Sequence, residues 1–157
     1  MPSPFLAALL PVVLAALLLS AGIEDVRRRE IANWKNAAIA LLAPLWWVAI
    51  GLDPWPGMAI QLAAAGIAFA LFCGAFALGQ MGGGDVKLIG ALALWLTPLD
   101  TIAMLLVMSL AGGALTIAFV IDRMARRREG AVEVPYGVAI AIAGLLALRE
   151  PLLNQFL

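Results

Sequence analysis

The sequence predicts an all-α fold: a polytopic membrane protein that forms a bundle of six transmembrane helices, with both termini outside. Composition is the first reason, because 64% of the 157 residues are hydrophobic and only 13% are charged. A soluble domain has about 45–50% apolar and 25% charged residues. Because a domain of ~150 residues buries only about 70% of the surface that it exposes unfolded, much of the apolar surface must face lipid.

The second reason is that six apolar stretches follow one another along the chain. They lie at residues 4–22, 37–52, 58–79, 88–99, 101–121 and 135–148. A helix needs about 20 residues to cross a bilayer, with a range of about 17–25. The first, third and fifth stretches meet this length, and the second stretch meets it when its flanking residues are counted. The fourth and sixth are short, so they either cross a locally thinned bilayer or insert partially.

The third reason is the distribution of basic residues. Nine of the ten lie in the loops after the first, third and fifth stretches, at residues 23–36, 80–87 and 122–134. Cytoplasmic loops carry an excess of Lys and Arg, so these three loops are predicted to be cytoplasmic. No basic residue precedes the first stretch, whereas a secretory signal begins with one. We therefore interpret this stretch as a retained helix.

Further patterns predict packing and interfaces. Gly66, Ala70 and Gly74 follow the small-xxx-small spacing of close helix contacts. The tryptophans near the ends of the apolar stretches are typical of interfacial belts, with ordinary core packing as the alternative. They are Trp34, Trp46, Trp47, Trp55 and Trp95.

Composition also excludes several kinds of function for this single domain, residues 1–157. The sequence has no histidine and one cysteine, so it lacks the imidazole of Ser-His-Asp and Cys-His catalysis and the ligands of a zinc site. A net charge of zero argues against nucleic-acid binding. No metal and no organic cofactor is expected.

Two acidic residues stand out as candidates for catalysis. Asp25 follows the first apolar stretch and Asp85 precedes the fourth, so both are predicted to lie at one membrane face. Ionisable groups at such a boundary are costly and often functional. If the two carboxyl groups converge, one retains a proton and the pair can act as general base and general acid. Glu24 and Glu30 flank an arginine cluster and are expected to be solvated.

Three consecutive glycines, Gly82, Gly83 and Gly84, come directly before Asp85. Without Cβ atoms they are free to adopt positive φ and to let an extended substrate approach the backbone closely. The alternative is a flexible connection between two helices.

These residues resemble the type IV prepilin peptidases, which are membrane aspartic proteases with a Gly-x-Gly-Asp motif. That motif reads Gly82-Gly83-Gly84-Asp85 here, and Val86-Lys87-Leu88 follows it. The motif of the first aspartate matches Asp25, Ile31 and Asn33, with Ala32 in place of the customary proline. A third motif matches Pro135-Tyr136-Gly137.

The resemblance implies that Asp25 and Asp85 are the catalytic pair of an endopeptidase. It would cleave the short basic leader from pilin-like precursors, each with a single hydrophobic helix, at the cytoplasmic face of the inner membrane. The chain looks like the short form of the family that serves tight-adherence (Flp-type) pili, without the cysteine-rich segment, so no methyltransferase activity is expected. Asn33, Lys87 and Tyr136 are candidate hydrogen-bond partners around the acids, although Lys87 also fits a simple membrane anchor.

Two other functions fit the same residues. A small proton-coupled transporter would use the boundary carboxylates as a proton relay. An inactive scaffold of a secretion machine would need neither acid, so the presence of both acids beside the glycines favours the peptidase.

Overall fold

The structure, a computed structural model, describes residues 3–126 and 134–149. In these residues the chain forms α-helices and no strand, which confirms the all-α prediction. The helices are α1 (Pro4–Arg28), α2 (Asn33–Ala49), α3 (Ala59–Ala77), α4 (Gly83–Ala93), α5 (Pro98–Ala125) and α6 (Tyr136–Ala147), and a π-helical turn, Pro54–Met58, leads into α3. Arg127 and Arg128, which contribute to the third basic loop, lie outside the described residues.

Two of the long helices begin at side-chain caps. The Ser3 hydroxyl accepts a hydrogen bond from the Leu6 N–H at 3.5 Å, at the start of α1. The Thr97 hydroxyl accepts one from the Asp100 N–H at 3.2 Å, at the start of α5. A proline follows each cap, where the missing N–H costs no helical hydrogen bond.

Successive helices run in opposite directions. The Ser3 N–H donates to the Ala49 carbonyl at 3.1 Å, so α1 begins where α2 ends. The Gln61 side chain, early in α3, donates to the Leu94 carbonyl at 3.3 Å, just after α4 ends. The late part of α5 likewise lies beside the start of α6. The ends of α1, α3 and α5 and the starts of α2, α4 and α6 therefore gather at one end of the bundle, which we call the site end.

The short helix α4 lies at the centre of the bundle, in contact with α2, α3 and α6. Its Leu88, Ile89 and Leu92 side chains are completely buried. Two glycines allow the close packing, because a Cβ atom on Gly90 would lie 2.7 Å from the Phe69 ring and one on Gly144 would lie 3.1 Å from Leu92. The body of α4 is therefore enclosed by protein, whereas its first turn is partly exposed: Asp85 is half-buried and Lys87 is exposed.

Within residues 3–126 and 134–149, three helices are long and apolar enough to cross a membrane: Pro4–Arg28, Pro54–Ala77 and Pro98–Ala125. Their outward faces carry large apolar side chains such as Ile67 and Leu110, which are 71% and 75% exposed and suit contact with lipid. The 11 residues of α4 rise only about 17 Å, against a hydrocarbon core of about 30 Å. The count of six spans and the outside position of the termini stay predictions.

The structure corrects two of the packing interpretations. Trp46, Trp47 and Trp95 are buried rather than placed in an interfacial belt. The Trp46 and Trp95 rings stack at 5.9 Å, and the Trp47 and Trp95 N–H groups donate to backbone carbonyls.

The second correction concerns the glycines of α3. A Cβ atom on Gly66 or Gly74 would have no described atom within 4 Å. The predicted close helix contact on this face of α3 is therefore wrong within the described chain.

The contact at Gly90 predicts a stability difference between two glycine substitutions. Gly90→Ala is expected to lower the thermal unfolding midpoint in detergent, because the added methyl group clashes with Phe69 and overpacking costs about 1–3 kcal/mol. Gly113→Ala is the control, since the same methyl group on α5 meets no described atom within 4 Å. Equal midpoints for the two variants would contradict the packing of α3 on α4.

Candidate active site

Asp25 and Asp85 come together at the site end. Asp25 lies in the last turn of α1 with 6% of its surface exposed, and Asp85 lies half-buried in the first turn of α4, ahead of the apolar stretch 88–99. Burial raises the pKa of Asp85 from 3.8 to about 6, and the negative charge of the neighbouring Asp25 adds to that increase. The N–H of Gly82 acts in the opposite direction. The two carboxyl groups are therefore close enough to influence each other's protonation.

Ile31 connects the segments that carry the two acids. Its side chain is buried and lies between the starts of α4 and α6: a Cβ atom on Gly84 would be 3.4 Å from Ile31 Cβ, and one on Gly137 would be 2.8 Å from Ile31 Cδ1. The same Cβ atom on Gly137 would lie 2.8 Å from Asp25 Oδ2. Gly137 thus lets α6 approach the carboxyl group more closely than any residue with a side chain would.

The start of α6 also brings backbone donors to Asp25. The N–H groups of Gly137 and Val138 lie beside its carboxyl group, at the helix end where N–H groups carry partial positive charge. Asp25 Oδ2 itself has no hydrogen-bond partner in the part of the chain that the structure describes. One carboxyl oxygen is therefore buried without being engaged by the protein.

The three glycines before Asp85 are not the loop that their sequence suggests. Gly82 precedes α4 with φ −71° and ψ 145°, and Gly83 and Gly84 form the first turn of the helix. None of them has positive φ, so that expectation is wrong; the turn after α3 instead has positive φ at Gly79, 69°. A Cβ atom on Gly82 would lie 3.1 Å from Asp85 Oδ2, so the glycine leaves room for the carboxyl group.

A partly buried ion pair fixes the connection between α1 and α2. Lys35 Nζ lies 2.8 Å from Glu24 Oε2 and also donates to the Ser20 carbonyl at 3.1 Å. Glu24 Oε2 accepts a further hydrogen bond, at 3.1 Å, from the N–H of Ala32, which a proline at this position would lack. Glu24 is therefore half-buried and paired rather than fully solvated, whereas Glu30 is exposed as expected. The ion pair holds the loop directly after Asp25.

The structure places the other predicted site residues around the acids without hydrogen bonds to them. Lys87 Nζ donates to Asn33 Oδ1 at 2.8 Å, and this exposed contact joins the starts of α4 and α2. The Tyr136 ring lies against α5, where a Cβ atom on Gly112 would be 3.1 Å from it, and its hydroxyl lies 3.5 Å from the Thr116 hydroxyl.

Asn36 is a residue of the site that the sequence analysis does not single out. Its Nδ2 donates to the carbonyl of Gly84 at 3.2 Å, next to Asp85. The residue is 4% exposed, and its Oδ1 has no hydrogen-bond partner among residues 3–126 and 134–149. The sequence feature that points to Asn36 is its position: it is a polar residue one helical turn after Asn33, at the edge of an apolar stretch.

Comparison with known families identifies the chain. A family model described as the type IV leader peptidase family matches residues 12–117, which is more than half of the sequence. The chain belongs to the type IV leader peptidase family. The matched segment includes Asp25, Asp85 and the glycines before Asp85, whereas Tyr136 and Gly137 lie beyond it. Comparisons with curated proteins and with solved structures give no match.

The site of this leader peptidase offers carboxyl chemistry. In the described ranges, no three His, Cys, Asp or Glu side chains cluster in a way that could hold a metal ion. The site provides two neighbouring, poorly solvated carboxyl groups, and one oxygen of Asp25 is unengaged in the described chain. Such a pair can share a proton and act on opposite sides of a bond.

The raised pKa of Asp85 predicts a pH-dependent cost to the stability of the leader peptidase. The unfolded chain loses this proton near 3.8 and the folded protein near 6, so stability falls as pH rises between these values and does not recover above them. Asp85→Asn removes the charge. It is expected to raise the free energy of unfolding at about pH 7 by up to about 3 kcal/mol, seen as a higher thermal midpoint, and to change it little at about pH 4.

Asp53→Asn is the matched control for this experiment, because Asp53 is an exposed carboxyl group away from the site. Its effect on the midpoint is expected to be small at both pH values. A gain for Asp85→Asn that is the same at both pH values would contradict the raised pKa.

The close approach of α6 predicts a loss of leader cleavage in Gly137→Ala. The added methyl group would lie 2.8 Å from both Asp25 Oδ2 and Ile31 Cδ1, so α6 or the carboxyl group must move. A displacement of about 1 Å at a catalytic group can lower the rate about 100-fold. The measurement is kcat/KM for precursor cleavage, with Gly113→Ala as the control; wild-type kcat/KM in Gly137→Ala would contradict this role of Gly137.

Proposed function

We propose that the chain is a membrane aspartic endopeptidase that removes the short basic leader from pilin-like precursors, with Asp25 and Asp85 as its catalytic carboxyl groups. The observation that carries the proposal is the proximity of these two acids at one end of the bundle. Both lie within the segment that matches the type IV leader peptidase family.

The proposed mechanism divides the work between a charged and a protonated carboxyl group. We assign the shared proton to Asp85, because burial and the charge of Asp25 raise its pKa to about 6, whereas the N–H groups of Gly137 and Val138 favour the charged form of Asp25. Asp25, charged, accepts a proton from a water molecule that attacks the carbonyl carbon of the scissile bond. Asp85 donates a hydrogen bond to the carbonyl oxygen, and the proton taken from water passes to the leaving amine as the C–N bond breaks.

The proposal includes a cytoplasmic site. The basic residues of the described chain gather at the site end, apart from Arg149: Arg27, Arg28, Arg29, Lys35, Lys87, Arg123 and Arg126. An excess of Lys and Arg marks the cytoplasmic side of a membrane protein. We therefore infer six spans in the inner membrane, with the catalytic pair facing the cytoplasm and both termini outside.

The family resemblance extends the proposal to the products of the reaction. The sequence contains one cysteine, so it does not include a four-cysteine segment of the kind that accompanies methyl transfer in longer members. We therefore expect leader removal without methylation of the new N-terminus, as in the short form that serves tight-adherence pili.

The decisive test is cleavage of a candidate precursor by purified protein in lipid vesicles. Asp25→Asn and Asp85→Asn are each expected to lower cleavage at least about 10³-fold, because neither the base nor the acid acts alone. Asp53→Asn is the matched control and is expected to keep wild-type cleavage. Mass spectrometry of the product gives the cleavage position and shows whether the new N-terminus is methylated.

Two outcomes would overturn the proposal. Normal cleavage by either Asn variant would contradict the two-aspartate mechanism. Proton-coupled uptake into vesicles that both Asn variants abolish, together with no cleavage by the wild-type protein, would instead identify a transporter.

A further inference from the structure

A groove opens between α2, α3 and α4 on the side of the bundle. Helix α4 forms its floor, because it packs against both α2 and α3, and the groove has a volume of ≈ 550 Å³. Six of the residues that line it are small, namely Ala37, Ala40, Ala65, Gly66, Gly90 and Ala91. Small side chains let helix backbones approach one another closely. The lining therefore suits a further helix.

One end of this groove is polar and lies at the site end of the bundle. Asn33, Asn36 and Lys87 line it at the site end, while Leu62 and Leu94 line it farther away. Asn36 is bonded to the carbonyl of Gly84, which directly precedes Asp85 in the chain. A helix in the groove would thus end near the start of α4, and its polar flank would meet the polar end of the groove; the segment ahead of it would have to cross the start of α4 to reach Asp85.

Asn36 also indicates the chemistry of the occupant. Its Nδ2 is bonded to a carbonyl oxygen, which only accepts, so Oδ1 is the atom left over. Oδ1 is buried and has no partner among the described residues, and a buried acceptor without a donor is destabilising. A lipid acyl chain has no donor to offer. The first turn of a helix has N–H groups that lack intrahelical partners.

We propose that this groove seats the apolar helix of the precursor, and that Asn36 Oδ1 accepts a hydrogen bond from an N–H in the first turn of that helix. The proposal rests on the proposed function, because it takes the leader to precede an apolar helix. A helix seated in this way presents the peptide bond ahead of its first turn to Asp25 and Asp85. Lys87 and Asn33 then lie at the boundary between leader and helix.

Two glycines of α3 allow a matched test. A Cβ atom on Gly66 or on Gly74 would meet no described atom within 4 Å, so both positions have room for a side chain; only Gly66 lines the groove. The probe is a model precursor with a basic leader and one apolar helix, in phosphatidylethanolamine and phosphatidylglycerol vesicles. Gly66→Leu is expected to raise KM at least about tenfold by filling the groove, whereas Gly74→Leu keeps the wild-type KM.

Cross-linking provides a second readout that does not depend on turnover. Cys73 is the sole cysteine of the sequence, so Cys73→Ala gives a background in which Gly66→Cys or Gly74→Cys can be combined with Asp85→Asn. A bismaleimide is expected to join position 66, and not position 74, to a cysteine in the apolar helix of the model precursor.

Each outcome bears on one of the two proposals. A wild-type KM in Gly66→Leu, together with no cross-link at position 66, would contradict the groove proposal but not the proposed peptidase function. A cross-link between two copies of the chain at position 66 makes the groove an interface between copies and also overturns the proposal. If the wild-type protein cleaves no precursor, the proposed function fails and the groove proposal fails with it.

Discussion

Ile31 fills the space between the first turns of α4 and α6, and this packing holds the two catalytic candidates near each other. It requires glycine on the α6 side, where a Cβ atom on Gly137 would lie 2.8 Å from Ile31 Cδ1; on the α4 side a Cβ atom on Gly84 would make ordinary contact with Ile31 at 3.4 Å. The Asp25 carboxyl group approaches Gly137 at the same place, because a Cβ atom on Gly137 would lie 2.8 Å from Asp25 Oδ2. The three motifs singled out in the sequence therefore meet at a single apolar contact, and the position of each acid depends on a side chain that carries no charge.

The position of Asp85 illustrates how function opposes stability in this fold. The helix that carries it is short, central and almost completely buried, so its first turn lies where a carboxylate is poorly solvated. The resulting rise in pKa is destabilising at neutral pH, and proteins retain such costs where activity needs them. The Gly82 N–H limits this cost, because it lies near the carboxyl group and favours its charged form.

The sequence predicts the helical class, the two acids and the end of the bundle at which they lie, because hydropathy and loop charge report directly on helices and their orientation. It does not predict that Gly83 and Gly84 are helical, since glycine fits a loop and a helix start equally well. It also does not predict the pairing of Glu24 with Lys35 or the role of Asn36. Those depend on distances between helices, which one sequence does not contain.

The connection after Asp25 has a consequence for how this chain can change. Where the related motif has proline, whose ring restricts the backbone, this chain has Ala32, with a φ of −58° that proline would also adopt. The shape of the connection is instead maintained by hydrogen bonding and charge, through Glu24 and Lys35. These three positions therefore depend on one another: a proline at position 32 would remove the N–H that Glu24 accepts from, so its effect would depend on whether Glu24 and Lys35 are still present.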